Sequence, residues 1–311
     1  MKQRKYGKTG KMVSQLGFGA WQLGNTNKNE WGDVNQDPIR LVHAAIDQGV
    51  NFFDTAPNYG QGASMEYLGK ALVGKRSAVV VNTKFGHGPD GENFDHKTLK
   101  KTVENSLSIL KTDYIDSVLL HSPAIELCDG DNPLYDVFQE LVQEGKILAF
   151  GASLDDYQSI HKLVSTTPSN IIMPLYNINF QESGNAFKEA AEKEYGIVVK
   201  VPLDSGWLTG KFTSESRFND IRSRGYSDYI ERRFALQQDL LKIIGTEMTL
   251  HEAALSFILA QPAVSTVIPG IKNEQQLADN IAASQKSISP ELQQKLKEYY
   301  DTQVKSVPLG W

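Results

Sequence analysis

Four residues carry side chains able to move a proton or steady a developing charge: Asp54, Tyr59, Lys84 and His121, in NFFDTAPNYG (51–60), NTKFG (82–86) and LLHSP (119–123). A tyrosine titrates at about pH 10 in water and is a poor proton donor or acceptor at neutral pH. A lysine cation nearby favours its phenolate, an aspartate can hold that lysine charged through an ion pair, and a histidine can hydrogen-bond a reacting oxygen. Such coupling would bring the phenol closer to working pH, as general acid–base chemistry requires. Each residue also has an ordinary reading: Asp54 as a turn residue beside Pro57 and Gly60, Lys84 as a solvated loop lysine, His121 as a satisfied near-surface histidine. Only convergence in one place separates the two readings.

The elements around these residues predict such convergence. Short apolar runs suited to strands occur at 15–21, 51–56, 78–85, 114–121, 147–153, 171–177, 196–202 and 265–270. Amphipathic helical patterns lie between them, as at 37–49, 97–111 and 134–146, the first with Pro38 near its start and Gly49 past its end. Eight such units in one chain predict an α/β fold of the (β/α)8 TIM barrel type, read as one domain over 1–311, and no GxGxxG opens a doubly wound sheet. In that barrel the active rim is the C-terminal ends of the strands, where Asp54, Lys84, His121, Ser153 and Asn177 are the last polar residues of successive strands. Tyr59 falls in the connection beyond the second. Two segments lie outside the repeat: a long polar loop at 203–233 after the seventh strand, and a C-terminal tail helix within 285–311, after Pro290.

Composition limits the partners. The chain has 311 residues, 40% hydrophobic and 22% charged, enough for a large core, and its formal charge of -5 is interspersed rather than blocked. That pattern argues against nucleic acid or an anionic membrane as a partner. One cysteine, Cys128, forms no intramolecular disulfide, no Cys/His spacing suggests a metal, and no stretch reads as a signal peptide or membrane span; a cytoplasmic setting is expected.

With these residues in place, FDTAPNYGQGASMEYLGKAL (53–72), VNTKFG (81–86), LLHSP (119–123), LDSGWLTGKF (203–212) and VIPGIKNEQQLADN (267–280) resemble the aldo-keto reductase superfamily. The likeness is greatest to bacterial members of the inositol-utilisation or general-stress oxidoreductase type, and it runs in order along nearly the whole chain. The resemblance implies a barrel that binds NADP(H) in preference to NAD(H) without a Rossmann domain and reduces aldehydes or ketones to alcohols, reversibly. It implies that Tyr59 is the proton donor, Lys84 and Asp54 its tuning pair, and His121 the carbonyl-orienting histidine. By the same resemblance Trp21, Asp54 and Ser153 lie at the nicotinamide end, and Leu203, Ser205, Gly206, Trp207, Leu208 and Lys211 lie over the pyrophosphate. Gly270, Lys272, Gln276 and Asn280 then form the adenosine clamp, with Lys272 at the 2'-phosphate. The partner is a small carbonyl or alcohol substrate, and the protein a monomer or weak homo-oligomer.

The chain departs from the family pattern at three places. Leu154 stands where Asn is common, Met173 where a Gln is expected for the carboxamide, and Lys200 near the place of an aromatic that stacks on the nicotinamide. Altered nicotinamide binding is therefore expected. Trp21, Trp31, Tyr59, Phe85 and His121 are the expected walls of the substrate pocket, aromatic walls being common around small ligands. Two other readings stay open: a nicotinamide-binding sensor or accessory barrel with little turnover, and a lyase or aldolase forming a Schiff base at Lys84.

Overall fold

A computed structural model of the chain describes residues 1–24, 37–213, 215–218, 220, 222 and 230–310. It begins with an antiparallel hairpin, β1 (Gln3–Lys5) and β2 (Met12–Ser14), followed by the first barrel strand β3 (Phe18–Gly19). Then come α1 (Pro38–Asp47), β4 (Phe52–Asp54), α2 (Ala63–Ala71), β5 (Val80–Phe85) and a small second hairpin, β6 (His87–Gly88) with β7 (Gly91–Glu92). The repeat continues through α3 (His96–Leu110), β8 (Ile115–His121), α4 (Leu134–Gln143), β9 (Ile147–Leu154), α5 (Tyr157–Thr166), β10 (Ile171–Pro174), α6 (Phe187–Glu192) and β11 (Gly196–Val199). It ends with α7 (Ile230–Ile244), α8 (Leu250–Leu259), β12 (Thr266–Val267), α9 (Glu274–Ser284) and α10 (Pro290–Tyr299).

Eight of these strands form one parallel sheet in the order β12-β11-β10-β9-β8-β5-β4-β3. Parallel bridges Leu16↔Val267 and Gly19↔Gly270 join its two edges, so the sheet closes and its backbone groups find partners all round. This is the expected (β/α)8 fold. Gly17 N donates to Val267 O at 2.8 Å and Gly19 N to Pro269 O at 3.0 Å, sealing the seam. A β-carbon on Gly19 would lie 3.0 Å from the carbonyl oxygens of Ile268 and Pro269, which explains glycine at so close an approach.

The helices start where the sequence supplies caps. Asp37 accepts from Ile39 N at 2.9 Å ahead of Pro38, Asp95 from Lys97 N at 3.0 Å, and Asn273 from Gln276 N at 2.8 Å. Their apolar faces and the outward side of the sheet make the main core. A second cluster fills the barrel interior, with Phe52, Val80, Leu119, Met173 and Val198 stacked over Tyr6 of the N-terminal hairpin. Tyr6 meets Phe52 edge-on at 5.3 Å between ring centroids, so the hairpin plugs the end of the barrel opposite the strand C-termini.

Two boundaries differ from expectation. The polar connection read as 203–233 ends earlier, because α7 is already helical at Ile230 and Arg233 is buried within it. An arginine in the apolar stripe hides the helical period in sequence; its ion pair with buried Asp204 is what permits its burial. The β6–β7 hairpin was not anticipated. The tail helix appears as α10, capped by Ser289, whose Oγ accepts from Leu292 N at 3.1 Å. No helix among the described residues is long and apolar enough to cross a membrane, and none of their His, Cys, Asp and Glu groups could hold a metal ion.

Candidate active site

Register brings the acid and the lysine together. Asp54 is the last residue of β4 and pairs with Asn82 on β5; Lys84, two residues further, shares its face because strand side chains alternate. Lys84 Nζ donates to Asp54 Oδ1 at 2.7 Å, to Oδ2 at 2.8 Å and to Thr55 O at 3.0 Å. All three ammonium hydrogens are thus spent and the group is locked, both residues being buried. The carboxylate of Asp54 turns inward to this cation and takes no turn N–H.

Behind the pair runs a buried polar chain. Tyr6 OH lies 2.7 Å from Ser117 Oγ, Ser117 donates to Asn82 Oδ1 at 2.6 Å, and Asn82 Nδ2 donates to Asp54 Oδ1 at 2.7 Å. Every member points its hydrogen toward the carboxylate, so the chain fixes the orientation of Asp54 from the plugged end of the barrel.

Tyr59 completes the group from the turn after β4. Its ring stacks on Trp21 at 5.4 Å and 14°, meets His121 edge-on at 5.9 Å and 84°, and has Lys84 Nζ 4.7 Å from its centroid. Gly60 holds the turn: its φ is +57°, and a β-carbon there would lie 1.8 Å from Gly24 O. Only glycine permits the 20–24 and 59–62 turns to interlock, and this fixes the Trp21–Tyr59 stack.

The electrostatics partly reverse the expectation. The phenol of Tyr59 is held well above its ordinary pKa, first by burial and then by the Asp54 carboxylate, rather than drawn toward working pH. Lys84 cannot pull it down because Asp54 already neutralises the ammonium. Tyr59 is therefore a protonated donor. Burial lowers Lys84, opposed by Asp54. His121 is pulled down to about 2 by burial, then by the Lys84, Lys200 and His87 charges, so it is neutral. Its Nδ1 is buried without a protein partner.

That depression has a stability consequence. The folded pKa of His121 lies below the unfolded value, so its contribution is complete above about pH 6.5 and is lost as pH falls toward 2, where the unfolded chain gains a proton that the folded one refuses. The loss is at most about 1.4 kcal/mol per pH unit. Thermal melts of wild type and His121→Asn between pH 7 and pH 5 are expected to show the variant losing less stability, by roughly 1–2 kcal/mol. Parallel curves would contradict the buried, neutral assignment.

These residues face a cavity of about 450 Å³ at the C-terminal ends of the strands. Trp21, Asp54, Tyr59, Lys84, His121 and Ser153 line its inner part; Leu203, Ser205, Gly206, Lys211, Gly270, Lys272, Gln276 and Asn280 line its outer part. Lys200 and Met173 line it too. Lys200 Nζ donates to Ser153 Oγ at 2.8 Å and pairs with Asp155 Oδ1 at 2.8 Å.

Several expected residues are elsewhere. Phe85 follows inward-facing Lys84 and so points outward, packing edge-on against Phe94 at 6.1 Å in the helix layer. Trp207 is buried against Phe212 and Phe218, and Leu208 is a core residue. The N–H groups of Gly206 and Leu208 both return to Leu203 O, at 2.8 and 3.2 Å, because the turn coils on itself with Ser205 and Gly206 at positive φ. Neither N–H is aimed at a ligand. Trp31 lies outside the described residues.

Other cavity residues went unforeseen. His251, on α8, holds Asn280 Oδ1 at 2.8 Å, and Arg222 pairs with Asp220 while lying 5.2 Å from the Phe212 ring. His251 sits on a helix and Arg222 in the long connection, so the strand-end rule reaches neither. Gln276 Oε1 accepts from Lys272 N at 2.9 Å, fixing the loop that carries the lysine.

Comparisons with known proteins bear on the family and the fold. A sequence profile described as Aldo/keto reductase family matches residues 15–301. The uncharacterized oxidoreductase YqkF of Bacillus subtilis is 30% identical over 290 residues, covering 91% of each chain. A probable voltage-gated potassium channel subunit beta from rice (Oryza sativa subsp. japonica) is 30% identical, again with 91% coverage of both. Among solved structures, the holo form of aldo-keto reductase AKR11C1 from Bacillus halodurans superposes with a TM-score of 0.82 at 29% identity, covering 96% of each chain.

Proposed function

This chain belongs to the aldo/keto reductase family, and from that premise we propose that it is an NADP(H)-dependent enzyme reducing small aldehydes or ketones to alcohols, reversibly, with Tyr59 as general acid. Aldo-keto reductases are oxidoreductases that use nicotinamide cofactors. Support for the finer reading is the placement of the Tyr59 ring among Lys84 Nζ, His121 and Trp21 at the inner end of a cavity large enough for a small ligand group.

The residues present suit a dinucleotide phosphate. Lys211, Lys272 and Arg222 supply cations along the outer cavity, and the coiled turn at Ser205 and Gly206 keeps its wall free of bulky side chains. When bound, the cofactor supplies a hydride to the carbonyl carbon. The protein's part is to hold the carbonyl oxygen and deliver a proton to it. Protonated Tyr59 and a ring N–H of neutral His121 both donate to that oxygen as negative charge develops. After transfer, the phenolate lies beside the Lys84 cation, which Asp54 keeps in place. Trp21 and Met173 give the reacting centre apolar walls.

Consumption of NADPH with 4-nitrobenzaldehyde or methylglyoxal tests the reading, and an inert protein that binds cofactor would contradict it. That outcome would favour a cofactor-binding accessory or sensor barrel, for which the potassium channel subunit beta relative is the motive. Lys272 carries the NADP preference. Lys272→Met is expected to weaken NADPH about tenfold, roughly 1.4 kcal/mol, and to leave NADH nearly unchanged. Titration of both cofactors against tryptophan emission reads this directly; equal losses would remove the assignment. The whole chain, 1–311, would act as one barrel domain in a cytoplasmic setting.

A further inference from the structure

We propose that Lys200 selects the redox state of the cofactor, favouring the uncharged reduced nicotinamide over the oxidised pyridinium cation. The inference rests on the nicotinamide-dependent reading above and concerns a residue to which that reading gives no role.

The first support is where Lys200 sits. It follows β11 directly and bridges to Leu175 beyond β10, with Ser153 on β9 and Met173 on β10 beside it in the cavity wall. Its side chain is 15% exposed, while that of its partner Asp155 is 43% exposed. Water therefore screens the carboxylate more than the ammonium, and the cation dominates on the cavity side. A solvated loop lysine has neither property.

Secondly, the backbone is held in strain to place it. Val201, the next residue, has φ +53°, a conformation that β-branched residues rarely adopt. Asn177 Nδ2 donates to Val201 O at 2.9 Å, and Lys200 N donates to Pro174 O at 3.0 Å, so two bonds from the neighbouring strand's connection hold the kink.

Thirdly, Lys200 lines the cavity in which the ring must sit. A hydride acceptor held by Tyr59 and His121 must lie about 3–3.5 Å from the donating carbon. The anionic tail follows Lys211 and Lys272, beyond β11 and β12. Ser153, Met173 and Lys200 line this same cavity, with Lys200 Nζ 2.8 Å from Ser153 Oγ. The Lys200 charge already reaches this centre, being among the causes that suppress protonation of His121.

Both cofactor forms carry the same phosphates and adenine, so the ratio of their dissociation constants isolates the ring's charge. A purely structural tether from β9 to β11 would change both affinities alike. The experiment titrates the full-length protein with NADPH and with NADP⁺, following tryptophan emission. Wild type is compared with Lys200→Met, Lys200→Arg and Asp155→Asn. The ratio Kd(NADP⁺)/Kd(NADPH) is expected to fall about tenfold in Lys200→Met, to persist in Lys200→Arg, and to rise about threefold in Asp155→Asn as the cation loses its counter-charge. Should Lys200→Met fail to fold, the rise in Asp155→Asn carries the test. Binding with an unchanged ratio in Lys200→Met and Asp155→Asn overturns the inference alone; failure of wild type to bind either form overturns it together with the functional reading.

Discussion

Tyr59→Phe is expected to lower kcat on aldehydes by about 10²–10⁴-fold, the usual worth of a positioned general acid, while leaving cofactor affinity nearly intact. The variant keeps the ring, so the stack on Trp21 at 5.4 Å and the approach of Lys84 Nζ at 4.7 Å survive. Only the O–H is lost, which confines the effect to proton delivery. Steady-state rates on 4-nitrobenzaldehyde, paired with emission titrations of NADPH, separate the two quantities. Full turnover across several aldehydes in the variant would end the mechanism.

Lys84→Met is expected to cost both stability and turnover. Removing one partner of a buried ion pair strands the other, at about 3–5 kcal/mol. Asp54 would retain Asn82 Nδ2 but lose the ammonium that touches both its oxygens. For a chain of this size the melting temperature should drop by roughly 5–8 °C. The double variant Asp54→Asn/Lys84→Met should recover part of that loss, because no charge remains buried, yet remain nearly inactive because the phenolate has no cation beside it. A single variant that melted with wild type would mean that the pair is not buried as described.

The meeting of the four candidate side chains was legible because a strand-end rule applies to three of them and Tyr59 falls in the connection just after Asp54. Polar residues at strand ends define the active rim of a barrel, and Asp54, Lys84 and His121 are such residues. The same alternation that places Lys84 inward sends Phe85 outward, so counting it as a pocket wall ignored the pleat. The loop at 203–208 misled for a different reason: a motif fixes where a segment lies, but not where its N–H groups point. There the chain coils so that Gly206 and Leu208 satisfy themselves on Leu203. His251 and the Tyr6–Ser117–Asn82 chain were invisible because each acts across long sequence separation, from a helix and from the N-terminal hairpin, and Arg222 lies in the long connection, beyond any strand end. The direction of the Tyr59 shift could not be read either, since it depends on how completely Asp54 cancels Lys84, a matter of ångströms rather than composition.

The central claim is a hydride delivered to a carbonyl carbon at a centre where Tyr59 supplies the proton. Single-turnover reduction of 4-nitrobenzaldehyde with NADPH deuterated at the transferring position of C4 tests it most directly. The account predicts alcohol labelled at its carbinol carbon in wild type, formed more slowly than with unlabelled cofactor when the chemical step limits, and almost none in Tyr59→Phe. Unlabelled alcohol, or equal yields from the two proteins, would contradict it.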